Sequence, residues 1–214
     1  MWLIGAFRCN FGRDDRMIAL KDVSKELGEF SCSQVNYVFT NSLYQLNGEN
    51  GSGKSVLLKI VAGFDRKITG KVENDQAKKP ILFLTDTGIG LPYLNVRDNI
   101  KLSAKILGVD ISEAAFFPLF QSDKYLETDY TKSSLGNQNK VGTALLFSEA
   151  EYGLIVIDET LNGIDRPSTK LILERLDELQ AKQRCPIIFV SHAITLEYAK
   201  QVDISEIIGG KNYE

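Results

Sequence analysis

The stretch GENGSGKS, residues 48–55, matches the pattern G-x-x-x-x-G-K-[ST] of a glycine-rich phosphate-binding loop. A short apolar run precedes it and a segment of helical composition, residues 53–63, follows it, which is the setting that this pattern requires. Glycines let backbone N–H groups curl around phosphate oxygens, and the helix N-terminus adds positive charge. The sequence therefore predicts a nucleotide site, and the residues expected to form it are Gly48, Asn50, Gly51, Ser52, Gly53, Lys54, Ser55 and Val56.

Two side chains of this loop and two later acids predict the chemistry of the site. Lys54 would reach the β- and γ-phosphates, and the Ser55 hydroxyl would bind Mg²⁺. In LIVIDE, residues 154–159, Asp158 ends an apolar run, where a carboxylate can hold the water shell of Mg²⁺. Glu159 beside it is a candidate base for a water molecule. Two acids that merely open a turn are the alternative, which the phosphate-binding loop makes less favourable.

The only histidine, His192, follows another apolar run in FVSH. A lone histidine is often structural, but ligands of α/β sheets bind beyond the carboxyl ends of the strands. This position favours a contact between His192 and the γ-phosphate.

Four short apolar runs indicate strands that are buried on both faces. They are LYQL at 43–46, ILFL at 81–84, LIVI at 154–157 and IIFV at 187–190. Helical segments separate them, and one of these, residues 167–183, opens with a proline at a first-turn position. The alternation predicts an α/β fold of the P-loop NTPase class, with a mostly parallel core sheet flanked by helices.

Two further regions depart from this alternation. The segment QVNYVFT at 34–40 has apolar side chains at every second position, which predicts an N-terminal antiparallel β subdomain. Residues of about 90 to 148 predict an inserted α-helical lobe, with one helix from Asn95 to Gly108. A second helical piece, residues 111–121, is expected to be interrupted by its proline, Pro118.

Regular patterning begins only at Met17, which is also a possible alternative start. Residues 1–16 are therefore expected to be an extension, and residues 17–214 to form the domain.

Composition excludes several classes of protein. The chain has 214 residues, of which 43% are hydrophobic, enough for one large domain with a real core. A net charge of -3 gives no electrostatic reason to expect a nucleic-acid partner. Its three cysteines, Cys9, Cys32 and Cys185, lack metal-ligand spacing and fit a reducing cytoplasm. No stretch approaches the roughly 18 apolar residues of a membrane span.

These pieces occur in an order that resembles the ATP-binding subunit of ABC transporters over residues of about 17 to 210. In that family a signature, usually LSGGQ, opens a helix shortly before the paired acids. Here SSLGN, residues 133–137, falls at that place, and QNKVGTALL follows it. Some bacterial drug and bacteriocin exporters carry a similar Ser-Leu-Gly form, so the resemblance favours export over import.

The resemblance implies a head-to-tail dimer in which ATP lies between the phosphate-binding loop of one subunit and the signature of the other. Ser134 and the backbone at Gly136 would then donate to the γ-phosphate at a helix N-terminus. Glu159 would polarise the attacking water, and His192 would hold the γ-phosphate. LNGID, residues 161–165, resembles the D-loop of the family, with Asp165 near the dimer axis.

The chain also departs from the family pattern. Asp86 stands where the family usually has the Q-loop glutamine, which touches Mg²⁺ and couples to the membrane partner. The aromatic residue that stacks on adenine is expected near Leu27, which leaves Phe30 as a substitute, although an ordinary core phenylalanine is the alternative. Thr160 replaces a usual proline, and Leu135 replaces a glycine of the signature. These changes bear on turnover more than on nucleotide binding.

What the resemblance implies for function is an ATPase that uses ATP and Mg²⁺ to power transport through a separate transmembrane permease subunit. The subunit would form a homodimer, or a heterodimer with another ATP-binding subunit, at the cytoplasmic face of the membrane. A regulatory ATP switch with negligible hydrolysis is one alternative. A soluble small-molecule kinase is another, but such an enzyme needs an arginine-rich lid, and residues 88–148 contain only Arg97.

Overall fold

A computed structural model describes residues 17–183 and 185–209. The extension expected over residues 1–16 lies outside the described residues. Within the described part, the strands in chain order are β1 (Ile18–Leu27), β2 (Phe30–Phe39), β3 (Leu43–Asn47), β4 (Thr69–Asn74), β5 (Ile81–Leu84), β6 (Leu154–Asp158), β7 (Ile187–Val190) and β8 (Lys200–Asp203).

In chain order, the α-helices of the same part are α1 (Lys54–Val61), α2 (Val96–Leu107), α3 (Glu113–Phe120), α4 (Asp123–Leu126), α5 (Leu135–Ala144), α6 (Arg166–Gln183) and α7 (Ile204–Ile208). Four of them, α2 to α5, follow one another between β5 and β6. Two short 3₁₀ turns, Tyr130–Lys132 and Leu145–Phe147, flank α5. None of the helices in the described ranges combines the length and apolar character that crossing a membrane would need.

The strands form two sheets, as the sequence predicts. A five-stranded sheet has the order β5-β6-β7-β3-β8, and all its pairs are parallel. A three-stranded antiparallel sheet has the order β2-β1-β4. The predicted α/β fold, with a mostly parallel core, an N-terminal antiparallel part and a helical lobe, is confirmed.

Burial explains why the apolar runs form the centre of the parallel sheet. Every residue of β6 and β7 is buried, because helices of the lobe cover one face while α1 and the antiparallel sheet cover the other. In β2, Val35 and Phe39 are buried and Tyr37 is half-buried, whereas Asn36 and Val38 are exposed, which matches the predicted alternation.

The order of the parallel strands determines where the site lies. β6, β7 and β3 are neighbours, and their carboxyl ends share one edge of the sheet. The phosphate-binding loop follows β3, Asp158 ends β6, and His192 comes two residues after β7. Parallel pairing therefore brings together three groups that are far apart in the sequence.

The helical lobe agrees with the sequence prediction except at one proline. Asn95 caps α2 by accepting a hydrogen bond of 2.7 Å from the Asp98 N–H, and Gly108 ends it in the left-handed conformation. The expected interruption of the next helix at Pro118 was wrong, since α3 continues through this residue. Pro118 lies near the end of a short helix, so it removes one hydrogen bond, and the buried Phe116 holds the helix in the core.

Arg97 connects the helices of the lobe. From α2 its guanidinium contacts Glu113 of α3 at 3.1 Å, Asp123 of α4 at 2.8 Å and Glu127, which follows α4, at 3.2 Å. Its charge is thus neutralised inside the lobe.

We predict that Arg97→Gln lowers the melting temperature of the domain by a few degrees, because three helical segments lose a shared cation. The matched control is Lys101→Gln, also on α2, whose ammonium lies 3.6 Å from Glu113 alone. Thermal unfolding followed by circular dichroism measures both. Equal melting temperatures for the two variants would contradict this role of Arg97.

Candidate nucleotide-binding site

Three glycines determine the backbone conformation of the predicted phosphate-binding loop, residues 48–55. Gly48, Gly51 and Gly53 all have positive φ angles. A Cβ atom added to Gly48 would lie 2.6 Å from Cγ2 of Ile204, and one added to Gly53 would lie 2.0 Å from the Phe30 ring. Two of the three positions therefore have no room for another residue.

This loop presents several polar groups that could bind an anion. The Lys54 ammonium lies inside the loop and donates to the carbonyls of Gly48 at 2.7 Å and Glu49 at 2.8 Å. No side chain caps the N-terminus of α1, so its first N–H groups have no side-chain acceptor. The Ser52 hydroxyl is buried without a hydrogen-bond partner in the described structure. A phosphate chain would satisfy all of these groups.

The predicted magnesium ligands lie next to this loop. Asp158 is buried at the end of β6, close to the Ser55 hydroxyl, which acts to lower its pKa. Burial raises the pKa of Asp158, and the negative charges of Glu159 and Asp86 raise it further, against the effects of Ser55 and Lys54. A divalent cation would offset this concentration of negative charge, so the residues fit Mg²⁺.

No group of three or more His, Cys, Asp or Glu side chains suited to a metal ion occurs in the described ranges. A magnesium ion would therefore depend on the Ser55 hydroxyl and on phosphate oxygens in addition to the carboxylates.

The two predicted catalytic residues are in contact. Nε2 of His192 lies 3.3 Å from Oε1 of Glu159, and the imidazole is 52% exposed. The other carboxylate oxygen, Oε2, accepts a hydrogen bond of 2.8 Å from the Asn162 amide. Oε1 is buried and has no hydrogen-bond partner among the described residues, because the His192 contact lacks hydrogen-bond geometry. Oε1 thus has an acceptor position that no described residue fills.

Glu159 also has an unusual backbone. Its φ angle is +54°, in the left-handed region that non-glycine residues seldom adopt. Such a conformation costs about 1–3 kcal/mol and persists where the surroundings hold it. Here the Glu159 N–H donates to the Val190 carbonyl at 3.0 Å, and the Asn162 N–H donates to the Glu159 carbonyl at 3.1 Å.

Phe30 lies beside the phosphate-binding loop and is mostly buried, as the alternative of a core phenylalanine would have it. Its ring packs on Gly53 and is 6% exposed, whereas Leu27 at the end of β1 is largely exposed. Both residues line a cavity of about 440 Å³ together with the phosphate-binding loop, Asp158, Glu159 and His192. Stacking of adenine on Phe30 stays a prediction, and most of the ring is covered by protein.

The predicted signature lies at the start of α5. Ser134 is the N-cap of this helix and accepts a hydrogen bond of 3.3 Å from the Asn137 N–H. A Cβ atom added to Gly136 would lie 2.2 Å from the Gly163 carbonyl oxygen, so the helix touches the 161–165 loop directly. These residues line a separate cavity of about 730 Å³, which shares no residue with the phosphate cavity. The two predicted half-sites are thus apart within one subunit.

Asp165 is engaged inside its own chain. It forms an ion pair with Lys140 of α5, which is almost fully buried, and it accepts a hydrogen bond of 3.0 Å from the Ser168 N–H. Burial would raise the pKa of Asp165, but the hydrogen bonds from Lys140 and Ser168 outweigh it and hold the pKa at about 2. The predicted contact of Asp165 at a dimer axis stays a prediction.

Sequence reasoning did not identify Asn162, which holds the base candidate Glu159 through its side chain. Its own backbone carbonyl accepts a hydrogen bond of 3.2 Å from Asn139 of α5. Asparagine is common in turns, so its position in LNGID gave no separate signal.

We predict that the ion pair of Asp165 makes stability depend on pH in acid. The pKa is lowered in the folded state, so the stabilisation is present above the unfolded pKa of about 4 and is lost as the pH falls towards about 2. The difference in melting temperature between the parent and Asp165→Asn should therefore shrink over this range. Asp110→Asn, at an exposed aspartate, is the control. A difference that is independent of pH would contradict the assignment.

Comparisons with known proteins agree on the family of this chain. The profile of the family described as ABC transporter matches residues 35–162, more than half of the chain. Among curated proteins, the chain is 26% identical over 208 residues to the probable sulfate/thiosulfate import ATP-binding protein CysA of Chlorella vulgaris, covering 89% of this chain and 85% of that protein. It is 30% identical over 203 residues to the molybdenum import ATP-binding protein ModC of Rhodopseudomonas palustris, covering 84% of this chain.

The chain spans about half of the length of ModC, 53%. Both relatives are named as import proteins, so they do not support the expectation of an exporter type. That part of the sequence interpretation is corrected.

Solved structures share the fold. A putative ABC transporter ATP-binding protein from Pyrococcus furiosus superimposes with a TM-score of 0.71 at 21% identity, covering 90% of this chain and 99% of that one. An ATP-binding cassette solved as a dimer in a post-hydrolysis state with ADP and Pi gives a TM-score of 0.67 at 21% identity, covering 82% and 88%.

Proposed function

Since this chain belongs to the ABC transporter family, we propose that it binds and hydrolyses ATP to power transport through a separate transmembrane permease subunit. One observation carries the proposal: the phosphate-binding loop, Asp158, Glu159 and His192 line one cavity at the carboxyl edge of the parallel sheet. The names of the relatives favour import, and we adopt that direction for this chain.

The residues divide the work of hydrolysis among them. Lys54 leaves the loop carbonyls and binds the β- and γ-phosphates, while the N–H groups at the start of α1 bind the remaining oxygens. When bound, Mg²⁺ would neutralise part of the phosphate charge. Ser55, Asp158 and Asp86 are the residues that would hold the ion.

Glu159 and His192 act on the γ-phosphate side of this cavity. Glu159 accepts a proton from the attacking water through Oε1 once the His192 ring has turned from this oxygen towards the γ-phosphate, while Asn162 holds Oε2 in place. His192 donates from its ring to the γ-phosphate, for which its exposure leaves access.

A second subunit completes the site in this proposal. Ser134 and Gly136 lie at the N-terminus of α5 and line a cavity of their own, so they are available to the ATP of a partner subunit. The partner is a second copy of this chain or another ATP-binding subunit.

The loop between β5 and α2 supports a docking role towards the permease. Ile89, Leu91 and Tyr93 are exposed apolar side chains on it, and Tyr93 is 85% exposed. The loop itself is held, because Asn99 accepts a hydrogen bond of 2.6 Å from the Leu91 N–H. Asp86 lies on the same loop, and its negative charge contributes to the raised pKa of Asp158, so this loop connects the exposed apolar side chains with the proposed magnesium ligands.

The alternatives remain distinguishable. A low-turnover ATP switch is favoured by Leu135, which exposes an apolar side chain on the signature helix where the family has glycine. Turnover of the purified chain, with and without its membrane partner, separates the switch from the transporter subunit. The kinase alternative loses support, because Arg97 contacts three carboxylates in the lobe.

We expect Glu159→Gln to lower the rate of ATP hydrolysis by at least about 100-fold, because an amide cannot accept the proton of the attacking water. ATP binding should persist, and the ATP-bound dimer should accumulate in size-exclusion chromatography. Glu149→Gln, at an exposed glutamate elsewhere in the chain, is the control. Hydrolysis by Glu159→Gln at the parental rate would refute the catalytic assignment.

The signature is tested at Ser134, because Gly136→Asp would also collide with the Gly163 carbonyl. Ser134→Ala should spare ATP binding by the monomer and impair dimerisation and hydrolysis. Ser134→Asp keeps the capping function but adds a charge that repels phosphate, so it should impair dimerisation more strongly. Ser133→Ala, whose hydroxyl contacts only the Asp129 carbonyl at 3.3 Å, is the matched control. Unchanged dimerisation in both Ser134 variants would argue for a plain capped loop.

A further inference from the structure

The segment that carries His192 has no regular secondary structure of its own. It connects β7 to β8 and covers residues 191–199, which we call the histidine strap. At its start, the Ser191 hydroxyl accepts hydrogen bonds of 3.2 Å from the N–H groups of Ala193 and Ile194. Beyond this turn, the strap needs other partners to hold its backbone.

Gln45 of β3 supplies these partners from the core of the protein. Its side chain is 2% exposed and makes hydrogen bonds at both ends of the amide. Nε2 donates to the Ile194 carbonyl at 2.7 Å, and Oε1 accepts from the Leu196 N–H at 2.7 Å. One side chain therefore fixes the strap at two points, the first of them two residues after His192.

A second glutamine extends this network. Nε2 of Gln201 on β8 donates to the Leu196 carbonyl at 2.8 Å and lies 3.3 Å from Oε1 of Gln45. Its own Oε1 accepts a hydrogen bond of 3.0 Å from Asn47 of β3. The strap is thus bound to β3 directly through Gln45 and indirectly through Gln201, which contacts Asn47 of β3.

The position of Gln45 gives this network a functional meaning. It lies three residues before Gly48, and β3 pairs with β7 directly through Gln45 and Phe189. An apolar side chain at this position would serve a purely structural core equally well, whereas a buried amide requires both of its partners. Its hydrogen bonds fix the distance between the strap and the phosphate-binding loop.

We infer that Gln45 is a positioning residue for His192, which holds the imidazole at the γ-phosphate end of the ATP cavity. The inference rests on the proposed function, since it assumes that His192 contacts the γ-phosphate. Gln45 itself does not touch the nucleotide and acts through the strap.

The test uses Gln45→Met, which keeps the volume but removes both hydrogen bonds to the strap. We expect a loss of kcat of roughly tenfold, the size of the coupling within one hydrogen-bond network. Affinity for ATP should fall while affinity for ADP stays unchanged, because ADP has no γ-phosphate. The matched control is Tyr44→Phe on the same strand, which removes hydrogen bonds to Thr40 and leaves the strap untouched.

A double-mutant cycle shows whether Gln45 acts through His192. In the His192→Ala background, Gln45→Met should cause no further loss of kcat. An equal loss in both backgrounds, or parental kcat in Gln45→Met while His192→Ala is impaired, overturns the inference alone. Parental kcat in His192→Ala overturns the proposed role of His192 and the inference with it.

Gln201→Met provides a second variant if Gln45→Met fails to fold. Gln201 is exposed, and its substitution removes the bond to the Leu196 carbonyl from the other side of the strap. The same loss of preference for ATP over ADP is expected, with a smaller magnitude. An unchanged ratio of the two affinities would overturn the inference.

Discussion

The parallel pairing of β7 with both β6 and β3 is the constraint on which the site depends. Each strand ends in a short polar segment, and only this order brings the phosphate-binding loop, Asp158 and His192 to one edge. The pairing is possible because the strands are apolar on both faces, so that helices and the antiparallel sheet can cover them. The strand pairing that packs the core therefore also positions the residues of the site.

The site holds opposite charges in two neighbouring places. Within the described residues, the buried ammonium of Lys54 donates hydrogen bonds to carbonyl oxygens, while Glu159 and Asp86 add negative charge near Asp158. Phosphate and a divalent cation bring charges of the opposite sign to both places. In the proposed function, both this separation of charge and the shape of the loop would favour a nucleotide with its cation.

Much of the fold could be predicted from sequence, because runs such as LIVI and IIFV have few alternatives to a buried strand. β8 could not, since KQVD has one buried residue and lies at the edge of the sheet. The contacts of Gln45 join residues about 150 positions apart, which no local pattern reveals. The export interpretation rested on a Ser-Leu-Gly resemblance of three residues, too short to carry the direction of transport.

The absence of a Cβ atom at Gly136 has a mechanical consequence. The start of α5 touches the Gly163 carbonyl, and Asn139 and Lys140 of the same helix bind Asn162 and Asp165. The helix and the loop are therefore joined at three points. Because Asn162 also donates to Glu159, one chain of contacts runs from the predicted signature to this carboxylate. In the proposed dimer, ATP held at the signature of a subunit would thus act on a helix that also helps to position the Glu159 of that subunit.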